Sequence, residues 1–272
     1  MTAPLAGRVA FITGVARGQG RAHAVRLARD GADIIGVDIC ADVASMDYPN
    51  ASPEDLAETV ELVEKQGRRI VARQADIRDY AALEAAFGEG LAEFGRVDII
   101  VANAGIVRLS PEADPLREWH DIIDTNLSGA FHTIRVALPA MRAAGRGGAI
   151  VITSSSAGLK GSGSAQAGQQ AYTAAKRGLV GYMQVLANDL APDWIRVNTI
   201  HPTGVATGMV MNEAMQRLMA DPDADMSTMQ NALPIPILQP EDIANAVAWL
   251  VNDEQKYITG VQLPLDAGFS VR

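Results

Sequence analysis

The stretch Val9-Ala10-Phe11-Ile12-Thr13-Gly14-Val15-Ala16-Arg17-Gly18-Gln19-Gly20 decides how the rest of the chain is read. Its first five residues form an unbroken apolar or β-branched run, which fits a strand buried on both faces rather than a half-exposed alternating one. Three glycines follow within eight residues, and a helical pattern begins at the last of them. Glycines at such a junction let the chain turn sharply and bring its backbone close to a phosphate. The helix N-terminus adds amide donors and a partial positive charge. A glycine turn without a ligand has the same local pattern, so the surrounding sequence must carry the distinction.

Working outward, the strand-to-helix transition recurs. Further apolar runs stand at Asp33 to Val37, Arg69 to Ala72, Val97 to Ala102, Ala149 to Thr153, Ile195 to Ile200 and Val261 to Leu263. Helix-length segments lie between them, at 20–30, 53–66, 80–94, 119–143, 172–190 and 240–251. This alternation implies an α/β, Rossmann-like doubly wound sheet of about seven parallel strands, with helices on both faces. No linker-like break interrupts it, so 1–272 is expected to be a single domain. Gly145-Arg146-Gly147-Gly148 predicts a tight turn into the fifth strand. Trp119, Trp194 and Trp249 lie in or beside helical patterns and are expected to serve packing.

Composition removes several classes of function. Hydrophobic residues make up 48% and charged residues 20%, and the net charge is −9, from 23 Lys plus Arg against 32 Asp plus Glu. Nucleic acid and anionic membranes both select basic patches, so neither is expected as a partner. Cys40 is the only cysteine, which fits a reducing cytoplasm. The N-terminus has no basic region followed by an apolar one, and no apolar run approaches the ~18 residues of a membrane span. No metal site is expected.

The second apolar run ends on Asp38. A carboxylate there accepts both hydroxyls of an adenosine ribose and repels a 2′-phosphate, so NAD is favoured over NADP. Arg17 argues the other way, because a basic residue in the glycine loop helps to hold such a phosphate; no Arg or Lys follows Asp38, however. Asp76 and Ile77, after the third run, are placed to meet an adenine. Asn103-Ala104-Gly105 ends the fourth run, where small residues let a ribose lie along the backbone. A strand-end cap or turn would explain either motif equally. Between Asp38 and the next helix, Ile39 to Ser52 form a long loop expected to cover the cofactor and slow its release.

The chemical centre is carried by Ser155, Tyr172 and Lys176. Tyr172 and Lys176 are four residues apart, so they share one helix face. An ammonium beside a phenol lowers the phenol's pKa, about 10 when unperturbed, and makes it an acid/base at neutral pH. Such a pair alone is usually a surface pair; here it follows the serine-rich strand end Ser154-Ser155-Ser156.

Taken together, the chain resembles the short-chain dehydrogenase/reductase family over nearly its whole length. The residues that carry the resemblance are Thr13-Gly14…Gly18…Gly20, Asp76, Asn103-Ala104-Gly105, Asn126, Ser154-Ser155, Tyr172…Lys176 and Pro202…Thr207. More narrowly, 14–40, the loop that follows and His201 to Thr207 resemble the actinobacterial subgroup that includes carveol dehydrogenases and is associated with the redox cofactor mycofactocin. The resemblance implies that Tyr172 exchanges a proton with substrate, Ser155 orients the substrate oxygen, and Lys176 holds the nicotinamide ribose and lowers the tyrosine pKa. Asn126 would shape a water-linked proton path to Lys176. NAD would be held by Gly14, Arg17, Gly18, Gln19, Gly20, Asp38, Asp76, Ile77, Asn103, Ala104, Gly105, Tyr172, Lys176, Val205 and Thr207, and a homotetramer is expected.

The sequence departs from the family pattern in two places. The segment from Ser155 to Tyr172 is longer than usual, which leaves the register among Ser154, Ser155 and Ser156 open. Pro202-Thr203 stands where Pro-Gly is usual, and a threonine stiffens that turn. Beyond Thr207, Met209, Met211, Met215, Met219, Met226 and Met229 suit either a helix packed on the body or an adaptable apolar lid over about 203–236. The family's use of a lid here favours an apolar secondary alcohol or ketone, a terpenoid such as carveol among them, with mycofactocin as an external acceptor. A non-catalytic NAD-binding protein would have no need of all three of Ser155, Tyr172 and Lys176. A carbon–carbon double-bond reductase would favour a longer tyrosine–lysine spacing.

Overall fold

The computed structural model describes residues 3–110, 113–220 and 230–272. Seven strands form one sheet: β1 (Val9–Thr13), β2 (Asp33–Asp38), β3 (Ile70–Gln74), β4 (Ile99–Ala102), β5 (Gly148–Thr153), β6 (Ile195–Pro202) and β7 (Gln262–Leu265). Their order is β3-β2-β1-β4-β5-β6-β7, with every neighbouring pair parallel. The described α-helices are α1 (Gly18–Arg29), α2 (Pro53–Glu64), α3 (Tyr80–Phe94), α4 (Pro115–Ile123), α5 (Gly129–Ala144), α6 (Ala167–Asp189), α7 (Glu213–Ala220) and α8 (Pro240–Val251). The strand order reverses between β1 and β4, and in such sheets the crevice beyond those strand ends takes the ligand.

Alternate strand residues feed opposite cores. Phe11, Ile35, Ile100 and Ile150 pack with Leu83 of α3, Ile134 of α5 and Leu179 of α6. Ala10, Ile12, Ile34 and Val101 pack with Leu27 of α1 and with Ile243 and Val247 of α8. Each fully buried side chain of this size contributes about 1.5–3 kcal/mol, and a one-residue slip would turn every one of them to the wrong face. Burial on both faces holds for the central strands only. At the edges, Arg73 and Gln74 of β3 and Pro264 of β7 are exposed.

The single helix expected over 119–143 is two helices joined by a π turn at Asp124–Ser128. Asn126 explains the break: its Nδ2 donates to Ile122 O at 2.9 Å and to Ile106 O at 2.8 Å. An amide inserted into the helical ladder displaces the next bond, and Gly129 N–H reaches back to Asp124 O. Helix α6 begins at Ala167, so Tyr172 lies more than one turn inside it rather than at its start. The tryptophans differ from expectation. Trp119, Trp194 and Trp249 are 37%, 66% and 45% exposed, so none is a core residue.

Candidate active site at the strand ends

Tight packing builds the glycine loop. A Cβ on Gly20 would lie 1.9 Å from Gly14 O, and Gly14 itself has φ +69° with Ala104 Cα 2.8 Å from where its Cβ would be. No other residue fits either position. Helix α1 opens without a side-chain cap, which leaves first-turn amides for an anion. Gln19, also at this turn, has a buried Oε1 with no hydrogen-bond partner. Glycines that exclude a Cβ, free amides and an orphaned acceptor together fit a dinucleotide's pyrophosphate and ribose. All of Gly14, Arg17, Gly18, Gln19 and Gly20 line one open cleft.

Asp38 lines the same cleft at the end of β2. Its Oδ2 accepts from Ala16 N at 2.9 Å and its Oδ1 from Cys40 N at 3.2 Å. Each oxygen keeps a second lone pair, so the carboxylate still has capacity for ribose hydroxyls. Burial pushes its pKa up, while those amides and the Arg17 charge pull it back. Arg17 lines the cleft and is held by one of its guanidinium nitrogens, which donates to Pro49 O at 2.6 Å. Asp76 and Ile77 line the cleft too. The Asp76 carboxylate accepts from Arg78 N and Arg78 Nε, both at 2.8 Å.

Asn103, Ala104 and Gly105 form the floor where β4 ends. Asn103 Nδ2 donates to Thr13 O at 3.0 Å, tying β4 to β1 at the switch point. Behind Asn103 lies His23, fully buried, with neither ring nitrogen in hydrogen-bond geometry; burial lowers its pKa to about 4. A Cβ on Gly105 would lie 2.5 Å from Asn126 Oδ1 and 3.3 Å from Lys176 Nζ. Asn126, Lys176 and the cleft floor therefore converge on one point, and Gly105 is the residue that lets them.

Strand β5 delivers the three serines, and their bonds separate them. Ser154 Oγ donates to Lys176 O at 2.8 Å and is turned into the fold. Ser156 opens a 3₁₀ turn, Ser156–Gly158. Ser155 Oγ accepts from Ala157 N at 3.2 Å, and it is the one of the three that pulls the Tyr172 pKa down. Lys176 Nζ donates to Thr153 O at 2.8 Å and lies 5.5 Å from the centre of the Tyr172 ring. The expected lowering of the tyrosine pKa is not what these surroundings give. Burial pushes the phenol up, with only the Ser155 hydrogen bond opposing it. Burial also lowers the Lys176 ammonium to about 7, which weakens the charge that was to stabilise a phenolate.

Beyond β6, Val205 is buried and pairs with Leu238, and the Thr207 hydroxyl donates to Val205 O at 3.4 Å. The Thr207 methyl carbon lies 3.0 Å from where a Gly18 Cβ would be, so this loop reaches the glycine loop. Thr203 is unstrained, since among the described residues the non-glycine positions with positive φ are Cys40, Trp194 and Ala267. Met211 precedes α7 and is 64% exposed rather than part of an apolar helix face, while Met215 is half-buried. Met226 and Met229 lie outside the described residues, as do the side chains of Leu218 and Met219.

Sequence reasoning missed how the 39–52 loop is fastened. Tyr48, buried beside the cleft, accepts from Val107 N at 3.3 Å. Asp47 Oδ2 accepts from Ser110 N at 2.8 Å, and Ser45 Oγ donates to Asp121 at 2.6 Å. Val43 and Met46 of the loop join Ile106, Ile122, Ala171 and Tyr172 in one apolar cluster. The loop is a strap that starts at the Asp38 end and reaches the Tyr172 end. Its length was visible in the sequence; its anchors are single contacts 59 to 76 residues away, which no periodicity reports.

A family model described as "Enoyl-(Acyl carrier protein) reductase" matches residues 14–270. The chain is 57% identical over 267 residues to an uncharacterised oxidoreductase of Mycobacterium tuberculosis, spanning 98% of this chain and 97% of that one. It is 44% identical over 277 residues to the (−)-trans-carveol dehydrogenase of Rhodococcus erythropolis, spanning 98% of both. Its structure superposes on the crystal structure of carveol dehydrogenase from Mycobacterium avium in complex with NAD, with a TM-score of 0.92, 47% identity and complete coverage of both chains. The chain belongs to the short-chain dehydrogenase/reductase family.

Proposed function

We propose that the chain is an NAD-dependent oxidoreductase that interconverts an apolar secondary alcohol and its ketone. The observation that carries this reading is the approach of Asn126 and Lys176 to Gly105, which lines the same glycine-rich cleft as Asp38, with Tyr172 beside Lys176 and Ser155 beside Tyr172. Relatives named for carveol oxidation and for an NAD complex support the cofactor and the terpenoid class. So does the apolar cluster of Val43, Ile106, Ile122 and Ala171 around Tyr172.

Bound NAD supplies the hydride chemistry. The chain's own groups handle the proton and the geometry. Tyr172 exchanges a proton with the substrate oxygen, and Ser155, beside the same phenol, fixes where that oxygen sits. Lys176, held by Thr153 O, meets the nicotinamide ribose, and Asn126 shapes the route by which a proton leaves. Gly14, Gly18, Gln19 and Gly20 take the pyrophosphate, Asp38 the adenosine ribose, Asp76 and Ile77 the adenine. Asn103, Ala104 and Gly105 take the second ribose, while Val205 and Thr207 meet the carboxamide. Arg17 closes the cleft by pinning Pro49.

The strap retains NAD between turnovers, and its three fastenings support that reading. Electrons then leave to an external acceptor, of which mycofactocin is the type implied by the family resemblance. Of the expected lid over 203–236, residues 203–220 and 230–236 cover the substrate, and 221–229 lie outside the described residues. Exposed Phe131 and Val185 on α5 and α6, with Trp249 on α8, support assembly into a homotetramer. A single cysteine and an acidic composition support a cytoplasmic location; among the described residues no helix is long and apolar enough to cross a membrane.

The test is a panel of apolar secondary alcohols, given with NAD or with an artificial dye acceptor, read at the reduced nicotinamide band and by dye bleaching. The proposal expects turnover in at least one arm. NAD binding without turnover in either would identify a binding protein instead.

A further inference from the structure

We propose that His201 is a positioning residue for Ser155, clamping the serine's backbone to the strand that leads into the Pro202–Thr207 loop. The proposal rests on the reading of Ser155 as the group that orients the substrate oxygen. Strands β5 and β6 pair from Gly148↔Ile195 to Thr153↔Ile200, and Ser154 N donates to Ile200 O at 2.9 Å as the last rung. There the two chains part: Ser155 turns into the 3₁₀ segment, and β6 runs on to Pro202. Proline has no N–H, so the backbone cannot add the next rung from that side.

That rung would have ended on Ser154 O; the His201 imidazole instead holds the next carbonyl, that of Ser155. Its Nδ1 lies 2.8 Å from Ser155 O, and its Nε2 lies 2.8 Å from Thr199 Oγ1. A carbonyl only accepts, so Nδ1 carries the proton and Nε2 accepts from the threonine hydroxyl. The ring is fully buried, and burial, helped by the charges of Lys176 and Arg177, lowers its pKa against the Ser155 hydrogen bond and Asp266. Ser155 O also accepts from Gly158 N at 2.8 Å, so the serine's carbonyl is held from both sides. A buried histidine with both nitrogens satisfied is commonly a core residue. This one gives its donor to the backbone of Ser155, the residue read as orienting the substrate oxygen, where the sheet no longer supports it.

The test compares His201→Leu, which removes the donor, with His201→Asn, whose amide nitrogen occupies the place of Nδ1. Losing one buried positioning bond should lower kcat roughly ten- to a hundredfold in the leucine variant, with KM for the alcohol and the NAD dissociation constant within about twofold. The asparagine variant should recover to within about threefold of wild type. In a Ser155→Ala background the leucine change should cost less than about twofold more, because the positioned group is already gone. Thr199→Val, which only frees the ring, should show a smaller loss with the same dependence on Ser155, and serves if the leucine variant does not fold. Nitrogen NMR of wild type should show the Nδ1–H tautomer. Full activity in His201→Leu, an equal loss with and without Ser155, or an Nε2–H tautomer would each overturn the proposal. Full turnover by Ser155→Ala alone would instead overturn the role of Ser155 on which it stands.

Discussion

Lys176 spends its ammonium on the carbonyl of Thr153, 2.8 Å away, at the very end of β5. The helix that carries Tyr172 is thus stapled to the strand that carries Ser155, and the two reacting side chains have one fixed separation. A phenol kept protonated by burial is primed to donate a proton to a ketone. Alcohol oxidation, which needs the phenolate, should therefore accelerate as pH rises, and ketone reduction should slow. Rate profiles in the two directions, measured on one preparation, check this; parallel profiles would contradict it.

Tyr172→Phe removes the proton and keeps the ring. General acid/base groups supply about 10²–10⁴-fold, so kcat should fall by that order while NAD binding stays within about threefold. Steady-state rates and cofactor titration separate the two effects.

Asp38→Ala should weaken NAD by about tenfold or more, since hydrogen bonds to a charged group contribute about 1.5–3 kcal/mol. NADP should be affected far less, because the same change removes a repulsion. An unchanged preference in a paired titration would remove Asp38 from the ribose site.

The strap gives a kinetic prediction. Tyr48 and Asp47 each accept one amide from the segment after β4. Asp47→Ala combined with Tyr48→Phe removes one anchoring acceptor outright and the second hydroxyl with it. At about 1 kcal/mol per bond, NAD dissociation should speed by roughly tenfold or more. Stopped-flow displacement of bound cofactor measures it, and an unchanged rate would leave the strap as a passive covering.

His23 makes stability depend on pH. An unfolded imidazole takes up a proton below its ordinary 6.5, whereas the folded one, deep in the core, resists protonation down to about 4. Between those values the unfolded chain binds more protons, so stability falls as pH is lowered through that window, by on the order of 3 kcal/mol in all. His23→Leu should flatten the slope of Tm against pH there, as read by calorimetry.

The fold was legible because its signal repeats. Seven apolar runs with helical patterns between them leave few alternatives, and α3 and α8 match the expected bounds residue for residue. The glycine loop, Asp38 and the Tyr172…Lys176 spacing were legible because each is a local pattern with a local cause. What escaped is non-local. Asn126 turns one long helix into two by bonding to Ile106 across the fold, and apolar periodicity cannot register that. Tryptophan identity suggested packing, yet Trp194 sits at φ +57° after a 3₁₀ turn and faces outward. The pKa of Tyr172 was misjudged for a related reason: adjacency to a cation was visible, but the burial that depresses that cation was not.

The central claim is that Tyr172 moves the substrate's proton while NAD, held against Asp38, takes the hydride. A single-turnover mix of NAD-loaded protein with a carveol-type secondary alcohol tests it most directly, following the reduced nicotinamide band in wild type and Tyr172→Phe. The account predicts a rapid rise in wild type and, in the variant, a rise slower by about a hundredfold or more. An equal rise in both would contradict it.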